Sequence, residues 1–305
     1  MISKLQHFLV SERVTYSRWL LSMLCLLLLV SAVAPQKPGS SQGESHHAKL
    51  DGKRVYYKSY GKGSEALVLV HCWSCNMDHW RDHIPGLAKR SRVIALDLPG
   101  HGQSDKPEVA YTMDLFAGAV DAVLRDAGVE RAVLVGHSIG TPVIRQFYRK
   151  YPQKTLALVI VDGALRPFGN KQMADSMLAG LRAPNYKEAG TQMLAAMSGP
   201  QLSPEIQERI KESFLNTPQQ VLVSAMEGMM DDSIWGQDKI DVPVLAVMAK
   251  SPFWPADTEQ FYRSIAPRLE FQMWDGVGHF LMMEKPKQFN EAVIAFLDKN
   301  SLLKK

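Results

Sequence analysis

The chain has 305 residues, of which 46% are hydrophobic and 22% are charged, and its formal net charge at pH 7 is +4. This composition supplies enough apolar residues for a sizeable core and excludes an intrinsically disordered protein. The first 34 residues contain three basic side chains and one acidic side chain, so residues 35–305 carry a net charge of only +2. That small charge gives no electrostatic basis for binding nucleic acid.

The N-terminal segment has the features of an export signal. Its apolar run, WLLSMLCLLLLVSAVA from Trp19 to Ala34, follows a basic stretch and ends in small residues, which is typical of a secretory signal peptide. The run is near the upper length limit of such signals, so an uncleaved membrane anchor is the alternative. We therefore expect residues 1–34 to export the protein, with membrane association through residues 19–34 if they are retained. Residues 35–47, PQKPGSSQGESHH, predict a flexible linker.

From Ala48 onward, short apolar runs alternate with amphipathic segments. The predicted strands, which follow a hairpin turn at Asp51-Gly52, are KRVYYKSYG, ALVLVH, RVIALD, AVLVGH, LALVIVD, PVLAVMA and LEFQMW. Most are continuous apolar runs, the pattern of parallel strands that are covered on both faces. Two sets of apolar residues have helical spacing: Met113, Phe116, Val120, Val123 and Leu124, and then Phe289, Val293 and Phe296. The predicted fold class is α/β, with a mostly parallel sheet flanked by helices.

One interval interrupts this alternation. Between Gly163 and Ile240 the sequence has no strand pattern, and helix-like pieces are separated by prolines. Because the interval falls between two sheet strands, we predict an inserted helical cap at about residues 163–240 within a domain of residues 48–305. The interval is rich in methionine: Met173, Met177, Met193, Met197, Met226, Met229 and Met230. Flexible thioethers suit an adaptable apolar pocket, and ordinary core packing is the alternative.

The string GHSIG, from Gly136 to Gly140, predicts a catalytic nucleophile at Ser138. It lies between an apolar strand and a helix-like stretch, and a serine on such a sharp turn has an exposed hydroxyl. Small residues two positions before and after the serine are what allow the backbone to bend so tightly. A plain turn serine is the alternative interpretation.

A serine hydroxyl becomes nucleophilic only when a base takes its proton, so Ser138 requires a histidine. His279, in DGVGHFLM, follows the last strand and precedes the final helix, at the sheet edge where sites of open α/β sheets gather. We therefore predict His279 as the general base. The other histidines in the folded region are His71 and His101 in loops, His79 and His83 on a helix, and His137 beside the serine.

Two of the three cysteines, Cys72 and Cys75, form a C-x-x-C pair in the string HCWSC, and Cys25 lies in the N-terminal apolar run. In an exported protein such a pair can oxidise to a tight disulfide, and a C-x-x-C pair after a strand can also be a redox site. We favour two small residues that fill a loop, because the rest of the chain lacks another redox or metal-binding cluster.

Four motifs occur in order along the chain: HCW followed by DHW, then LDLPGHGQSD, GHSIG and DGVGHF. With these motifs the chain resembles the α/β-hydrolase fold family, in particular serine hydrolases with a lid between the sixth and seventh strands. The resemblance covers about residues 50–299. It implies an eight-stranded sheet, a nucleophile–acid–histidine triad in that chain order, and hydrolysis of an acyl or related bond without a metal or an organic cofactor.

The resemblance also implies an oxyanion hole made of two backbone N–H groups, those of Ile139 and Trp73. The chain departs from the family at Cys72, where a glycine is common, and we expect a side chain there to crowd the loop.

The triad acid is harder to assign, because the family usually carries an aspartate after the seventh strand and the matching stretch here, AKSP, has no carboxylate. Asp162, at the end of the sixth strand, occupies the alternative position that some family members use, and is our first choice. Asp257 is the second choice, although an aspartate at a helix start is also explained by the helix dipole. A lid carboxylate, Asp231 or Asp232, is the third.

The sequence therefore predicts an exported serine hydrolase, with a carboxylic ester as the first expected substrate and lactone, amide or carbon–carbon bonds behind it. A serine nucleophile argues against the family's dehalogenases and epoxide hydrolases, which use an aspartate. The aromatic residues that could line an apolar pocket, or equally fill the core, are Trp73, Trp80, Trp235, Phe253, Trp254 and Phe280. Two alternatives remain: a non-catalytic binding protein on this scaffold, and a thiol oxidoreductase that uses Cys72 and Cys75.

Overall fold

The computed structural model describes residues 43–167, 169 and 171–303. Eight strands form one sheet in the order β1-β2-β4-β3-β5-β6-β7-β8. Their bounds are β1 Glu44–Leu50, β2 Lys53–Tyr60, β3 Glu65–Val70, β4 Val93–Leu96, β5 Arg131–His137, β6 Thr155–Val161, β7 Val244–Ala249 and β8 Leu269–Trp274. Strand β2 runs antiparallel to both of its neighbours, and every other pairing is parallel. The predicted α/β fold with a mostly parallel, eight-stranded sheet is confirmed.

Helices cover the sheet and fill the interval between β6 and β7. Their bounds are α1 Ile84–Leu87, α2 Met113–Asp126, α3 Gly140–Lys150, α4 Lys171–Arg182, α5 Tyr186–Met197, α6 Pro204–Leu215, α7 Gln219–Met229, α8 Thr258–Ile265, α9 Leu281–Glu284 and α10 Pro286–Lys299. Helix α2 packs against α3 and β1, and α10 packs against α1. The strands β3, β5, β6 and β7 are buried along almost their whole length, because helices exclude water from both sheet faces.

The predicted linker of residues 35–47 is wrong at its C-terminal end. Residues 44–47 belong to β1, which pairs with β2 as a hairpin across the Asp51-Gly52 turn. The polar string ESHH hides this strand because β1 lies at the sheet edge with one face exposed. On the other face the His46 ring stacks on the buried Tyr57 at 5.1 Å. The predicted leader, residues 1–34, and the rest of the linker lie outside the described residues.

The interval that we predicted as a cap contains the four helices α4 to α7. Helix α4 packs against α5 and α7, and α5 packs against α6. Pro204 is the first residue of α6, where its missing N–H costs nothing, and the Ser203 side chain accepts a hydrogen bond from the Ile206 N–H. Pro218 directly precedes α7. These two prolines thus mark helix starts. No helix within residues 43–167 and 171–303 is long and apolar enough to cross a membrane.

Candidate active site

Ser138, the predicted nucleophile, lies on the turn between β5 and α3. Its φ of +55° is in the left-handed region, and its backbone N–H donates to the Val161 carbonyl at 3.0 Å. The flanking glycines are required by close backbone contacts: a Cβ at Gly136 would lie 2.3 Å from the Gly140 carbonyl oxygen, and one at Gly140 would lie 2.7 Å from the Val70 carbonyl oxygen. The G-x-S-x-G spacing therefore has a steric cause in this chain.

His279 lies on the loop between β8 and α9, and its main chain is fixed from two sides. Its N–H donates to the carbonyl of Met197, at the end of cap helix α5, at 2.9 Å. Its carbonyl oxygen accepts from the His137 Nε2 at 2.8 Å, so Nε2 carries the proton of the His137 ring. Burial holds the pKa of His137 well below its ordinary value, which keeps that ring neutral.

The Asp162 carboxylate meets the His279 ring directly after β6. The Asp162 Oδ2 and the His279 Nδ1 are 2.7 Å apart. The other oxygen, Oδ1, accepts from the Ala249 N–H at 2.8 Å and from the Trp254 indole N–H at 2.9 Å. Because an ionised carboxylate only accepts hydrogen bonds, the proton of a neutral His279 ring lies on Nδ1 and leaves Nε2 free to accept.

The other carboxylates that we considered as the acid lie elsewhere, and Asp232 lines a separate hollow beside Trp235. Asp257 lies at the start of α8 and forms an ion pair with Arg166, with Oδ2 and Nη1 3.0 Å apart, and its side chain is 57% exposed. This hydrogen-bonded pairing lowers the pKa of Asp257. Asp231 caps the short turn Asp232–Trp235 by accepting from the Ser233 N–H. The structure thus brings Asp162 to the His279 ring.

The loop after β3 carries Trp73, the second predicted oxyanion donor. The His71 Nε2 accepts from the Leu98 N–H at 2.9 Å, so Nδ1 carries the proton and donates to the Cys72 carbonyl at 2.8 Å. Burial holds the pKa of His71 well below its ordinary value and keeps the ring neutral. The Trp73 indole donates to the carbonyl of Leu222, in cap helix α7, at 2.9 Å. The loop is therefore tied to both the sheet and the cap.

The Cys72 side chain forms a disulfide with Cys75, with the two Cα atoms 5.2 Å apart. Both cysteines are buried. Their potential metal-ligand atoms and that of His79 lie within 4.8 Å of one another. Because the two sulfurs are bonded to each other, they do not act as thiolate ligands in this state.

The remaining buried histidines, which we did not predict as the general base, make structural hydrogen bonds. His101 bonds the Pro99 carbonyl through Nδ1, His79 contacts the Ser213 hydroxyl through Nε2, and His83 contacts Asn290 through Nδ1. Burial lowers the pKa of His79 to about 3 and lowers the pKa values of His83 and His101 to about 4. These rings stay neutral near pH 7.

A cavity of about 470 Å³ lies between the sheet edge and the cap, and Ser138, Asp162 and His279 all line it. Six of the seven cap methionines also line it: Met173, Met177, Met193, Met197, Met226 and Met229. The aromatic residues in its wall are Trp73, Phe253, Trp254 and Phe280. Trp80 instead packs against Phe289 in the core, while Trp235 and Met230 line a separate hollow. Among the described residues of this wall, only Asp162 and His279 have ionisable side chains, because Cys72 is disulfide-bonded.

Sequence reasoning missed three residues that fix the site. Trp254 was considered only as an aromatic wall residue, yet it donates to Asp162. His137 was set aside as a neighbour of the serine, and Met197 contacts His279 through its backbone carbonyl. A backbone acceptor leaves no signal in a sequence, whereas the histidine in GHSIG was visible.

Comparison with known proteins agrees with this fold. A model of the alpha/beta hydrolase fold family matches residues 65–286. The dihydrolipoyllysine-residue acetyltransferase component of the acetoin cleaving system of Pseudomonas putida is 29% identical over 262 residues, which cover 83% of this chain and 69% of that protein. The component of the same name from Cupriavidus necator is 35% identical over 135 residues, which cover 42% of this chain and 36% of that protein. This chain thus matches about a third of the Cupriavidus protein's length.

Among solved structures, Est816, described as an N-acyl homoserine lactone degrading enzyme, superposes with a TM-score of 0.70 at 27% identity, covering 82% of this chain and 100% of that chain. The family match extends from β3 to the start of α10 and therefore includes the turn of Ser138, the cap and the loop of His279. The chain belongs to the α/β-hydrolase fold family.

Proposed function

We propose that this protein is a serine hydrolase that cleaves an ester or related acyl bond of an apolar small molecule through an acyl-enzyme on Ser138. The observation that carries the proposal is the 2.7 Å contact between Asp162 and His279, in the wall of the same cavity as Ser138. Membership of the α/β-hydrolase family supports hydrolase activity in general. The lactone-degrading relative supports an acyl carbonyl as the target.

In the proposed reaction, His279 Nε2 takes the proton of the Ser138 hydroxyl as its oxygen attacks the substrate carbonyl. Asp162 stabilises the imidazolium that forms. The imidazolium then protonates the leaving group, and a water activated by His279 releases the acyl group and restores the serine.

The tetrahedral oxyanion needs donors that are already in place, and each is worth on the order of 3 kcal/mol. The backbone N–H groups of Ile139 and Trp73 are the proposed donors. Neither group donates to another atom of the described residues, which supports their assignment as donors.

The cavity wall supports a neutral, apolar acyl or alcohol group in the substrate. Six thioethers and four aromatic rings surround the predicted triad, and no cation among the described wall residues would pair with a substrate carboxylate. Methionine side chains are flexible, so the wall can adapt to chains of different length. We expect esters of medium-chain fatty acids to be better substrates than acetate esters, and succinate half-esters to be poor ones.

The decisive test is labelling with a fluorophosphonate probe together with hydrolysis of p-nitrophenyl butyrate. We expect the wild type to be labelled and active, and Ser138→Ala to lose both the label and the activity. A wild type that is neither labelled nor active would favour the non-catalytic binding protein. Activity that survives in Ser138→Ala but is lost in Cys72→Ser would favour the thiol oxidoreductase.

We also propose that the protein is exported, as the sequence of residues 1–34 predicts. The Cys72–Cys75 disulfide supports an oxidising compartment, because such bonds are rare in a reducing cytosol. Cell fractionation of the full chain beside a variant without residues 1–34 tests this. We expect the full chain outside the cytosol or at the membrane and the shortened chain in the cytosol, and the reverse distribution would contradict the proposal.

A further inference from the structure

We propose that the Cys72–Cys75 disulfide is a positioning element of the oxyanion site, because it fixes the peptide whose N–H belongs to Trp73. The proposal rests on the serine-hydrolase function proposed above. It explains why this chain carries a cysteine at a position where the α/β-hydrolase resemblance leads us to expect glycine.

The peptide between Cys72 and Trp73 is held firmly on its carbonyl side. The Cys72 carbonyl oxygen accepts from the His71 ring at 2.8 Å and from the Cys75 N–H at 3.2 Å. In a planar trans peptide the C=O and the N–H point in opposite directions. Two donors that hold the oxygen therefore set the direction of the Trp73 N–H on the opposite side.

The disulfide closes the same turn covalently. Cys72 and Cys75 are the first and last residues of a four-residue turn, and the Cys75 N–H to Cys72 carbonyl bond spans it. Ser74 within the turn has a φ of +59°, a left-handed conformation that costs a non-glycine residue free energy. Without the covalent link, one hydrogen bond would have to hold a turn that its own backbone disfavours.

The indole of Trp73 does not replace this link. Its hydrogen bond to the Leu222 carbonyl anchors the end of the side chain to the cap, several bonds away from the backbone N–H. Rotation about the side-chain bonds can keep that contact while the peptide plane turns. The disulfide acts on the main chain itself, which is where an oxyanion donor must be fixed to within about 0.5 Å.

The test compares the full chain carrying Cys25→Ser, in which Cys72 and Cys75 are the only cysteines, with the same chain carrying Cys72→Ser and Cys75→Ser as well. We expect the two added substitutions to lower kcat for p-nitrophenyl butyrate by about 10- to 100-fold and to leave KM within about twofold. The upper end of this range corresponds to the complete loss of one oxyanion donor. A trifluoromethyl ketone, which adds to Ser138 and leaves an oxyanion, should bind more weakly by a similar factor. A disulfide that only stabilised the fold would change neither kcat nor the affinity for this inhibitor in a protein that remains folded.

A reversible version uses the Cys25→Ser chain alone. A phosphine reduces the disulfide to two thiols while water supplies the oxygen of the phosphine oxide, and oxidised glutathione then restores the bond. EDTA is present throughout, so that the freed thiols and His79 do not bind a metal ion. We expect kcat to fall on reduction and to return on oxidation, with thiols counted in the denatured protein and circular dichroism unchanged. This reduction experiment tests the positioning role of the disulfide even if the variant with Cys72→Ser and Cys75→Ser does not fold.

The proposal is overturned if the reduced protein or the folded double variant keeps the kcat and the inhibitor affinity of the oxidised protein. It is also overturned if KM rises while kcat is unchanged. A separate outcome concerns the proposed function: if the oxidised Cys25→Ser chain is not labelled at Ser138 by a fluorophosphonate, the serine-hydrolase proposal itself fails.

Discussion

The floor and the roof of the cavity are built from different kinds of interaction. On the floor, at the sheet edge, polar groups hold one another: the Asp162 carboxylate accepts three hydrogen bonds, and the His279 backbone is bonded on both sides. The roof, from the cap, presents mainly flexible methionine side chains. Hydrogen bonds fix direction, whereas thioether packing fixes only volume. We therefore expect reaction geometry and substrate fit to be set by separate regions.

The separation is incomplete, because the cap also contributes two backbone acceptors to the floor. The Met197 carbonyl binds the His279 N–H, and the Leu222 carbonyl binds the Trp73 indole. Cap side chains can therefore vary with the substrate, while the backbone of α5 and α7 must keep its place for the floor to hold its shape. Substitutions that keep the cap backbone should change selectivity alone.

The largest expected effect comes from replacing Asp162, the proposed triad acid on the floor of the cavity. We expect Asp162→Asn to lower kcat/KM for p-nitrophenyl butyrate by about 10³- to 10⁴-fold, because an amide no longer selects the His279 tautomer that leaves Nε2 free. Asp257→Asn is the matched control, since it removes only an exposed, solvent-screened ion pair with Arg166. A large loss in Asp257→Asn with full activity in Asp162→Asn would reverse the acid assignment.

A second prediction compares a glycine-to-alanine substitution on the cavity floor, at Gly136, with one in the cap, at Gly180. Gly136→Ala would place its Cβ 2.3 Å from a backbone oxygen that cannot move freely, and we expect it to cost about 3 kcal/mol of unfolding free energy or to prevent folding. In cap helix α4, a Cβ at Gly180 meets nothing within 4 Å. Gly180→Ala should therefore stabilise the protein by up to about 1 kcal/mol. Urea unfolding measures both, and equal effects at the two sites would contradict the steric account of the Ser138 turn.

These two regions also differ in how far the sequence predicts them. The floor was predictable where backbone sterics leave a residue signature, as at Gly136 and Gly140, and where a strand end indicates a role, as for His279. Asp162 was the first of three choices for the acid, and the family resemblance suggested it. Parallel strands end at one sheet edge, so a carboxylate after β6 and a histidine after β8 meet there. The cap was predictable as an interval of helices and methionines, but not as the wall of a particular cavity.

Other features had no readable signal. The strand β1 lacks an apolar pattern because it is an edge strand, so its start at Glu44 was missed. The role of Trp254 depends on a contact with Asp162 across 92 positions, which neither residue's local sequence reveals. Aromatic residues such as Trp80 and Trp254 look alike in the sequence, yet one fills the core and the other lines the cavity.

The roof is tested by a substitution that changes volume and leaves the floor intact. Met226 lines the cavity, whereas the nearby Met230 lines a separate hollow. We expect Met226→Phe to lower the ratio of kcat/KM for octanoate over acetate esters by about tenfold, the cost of excluding one or two methylene groups. Met230→Phe should leave this ratio unchanged. If both variants shift the ratio equally, the cavity wall does not set chain-length preference.

The smallest expected effect concerns the buried histidines beneath the floor. Burial lowers the pKa of His83 from its ordinary value of 6.5 to about 4, so the folded protein leaves this ring neutral while the unfolded chain protonates it below pH 6.5. The unfolded state then binds more protons, and stability falls as the pH drops from 6.5 towards 4. We expect His83 to contribute a loss of about 1 kcal/mol in unfolding free energy between pH 7.5 and pH 5.5.

His83→Gln isolates this contribution, because glutamine can contact Asn290 but does not titrate. The variant should lose less unfolding free energy than the wild type between pH 7.5 and pH 5.5, by about 1 kcal/mol, whatever its stability at neutral pH. Urea unfolding at the two pH values gives the difference directly. An identical pH dependence in the two proteins would mean that His83 titrates with the same pKa in the folded and the unfolded state.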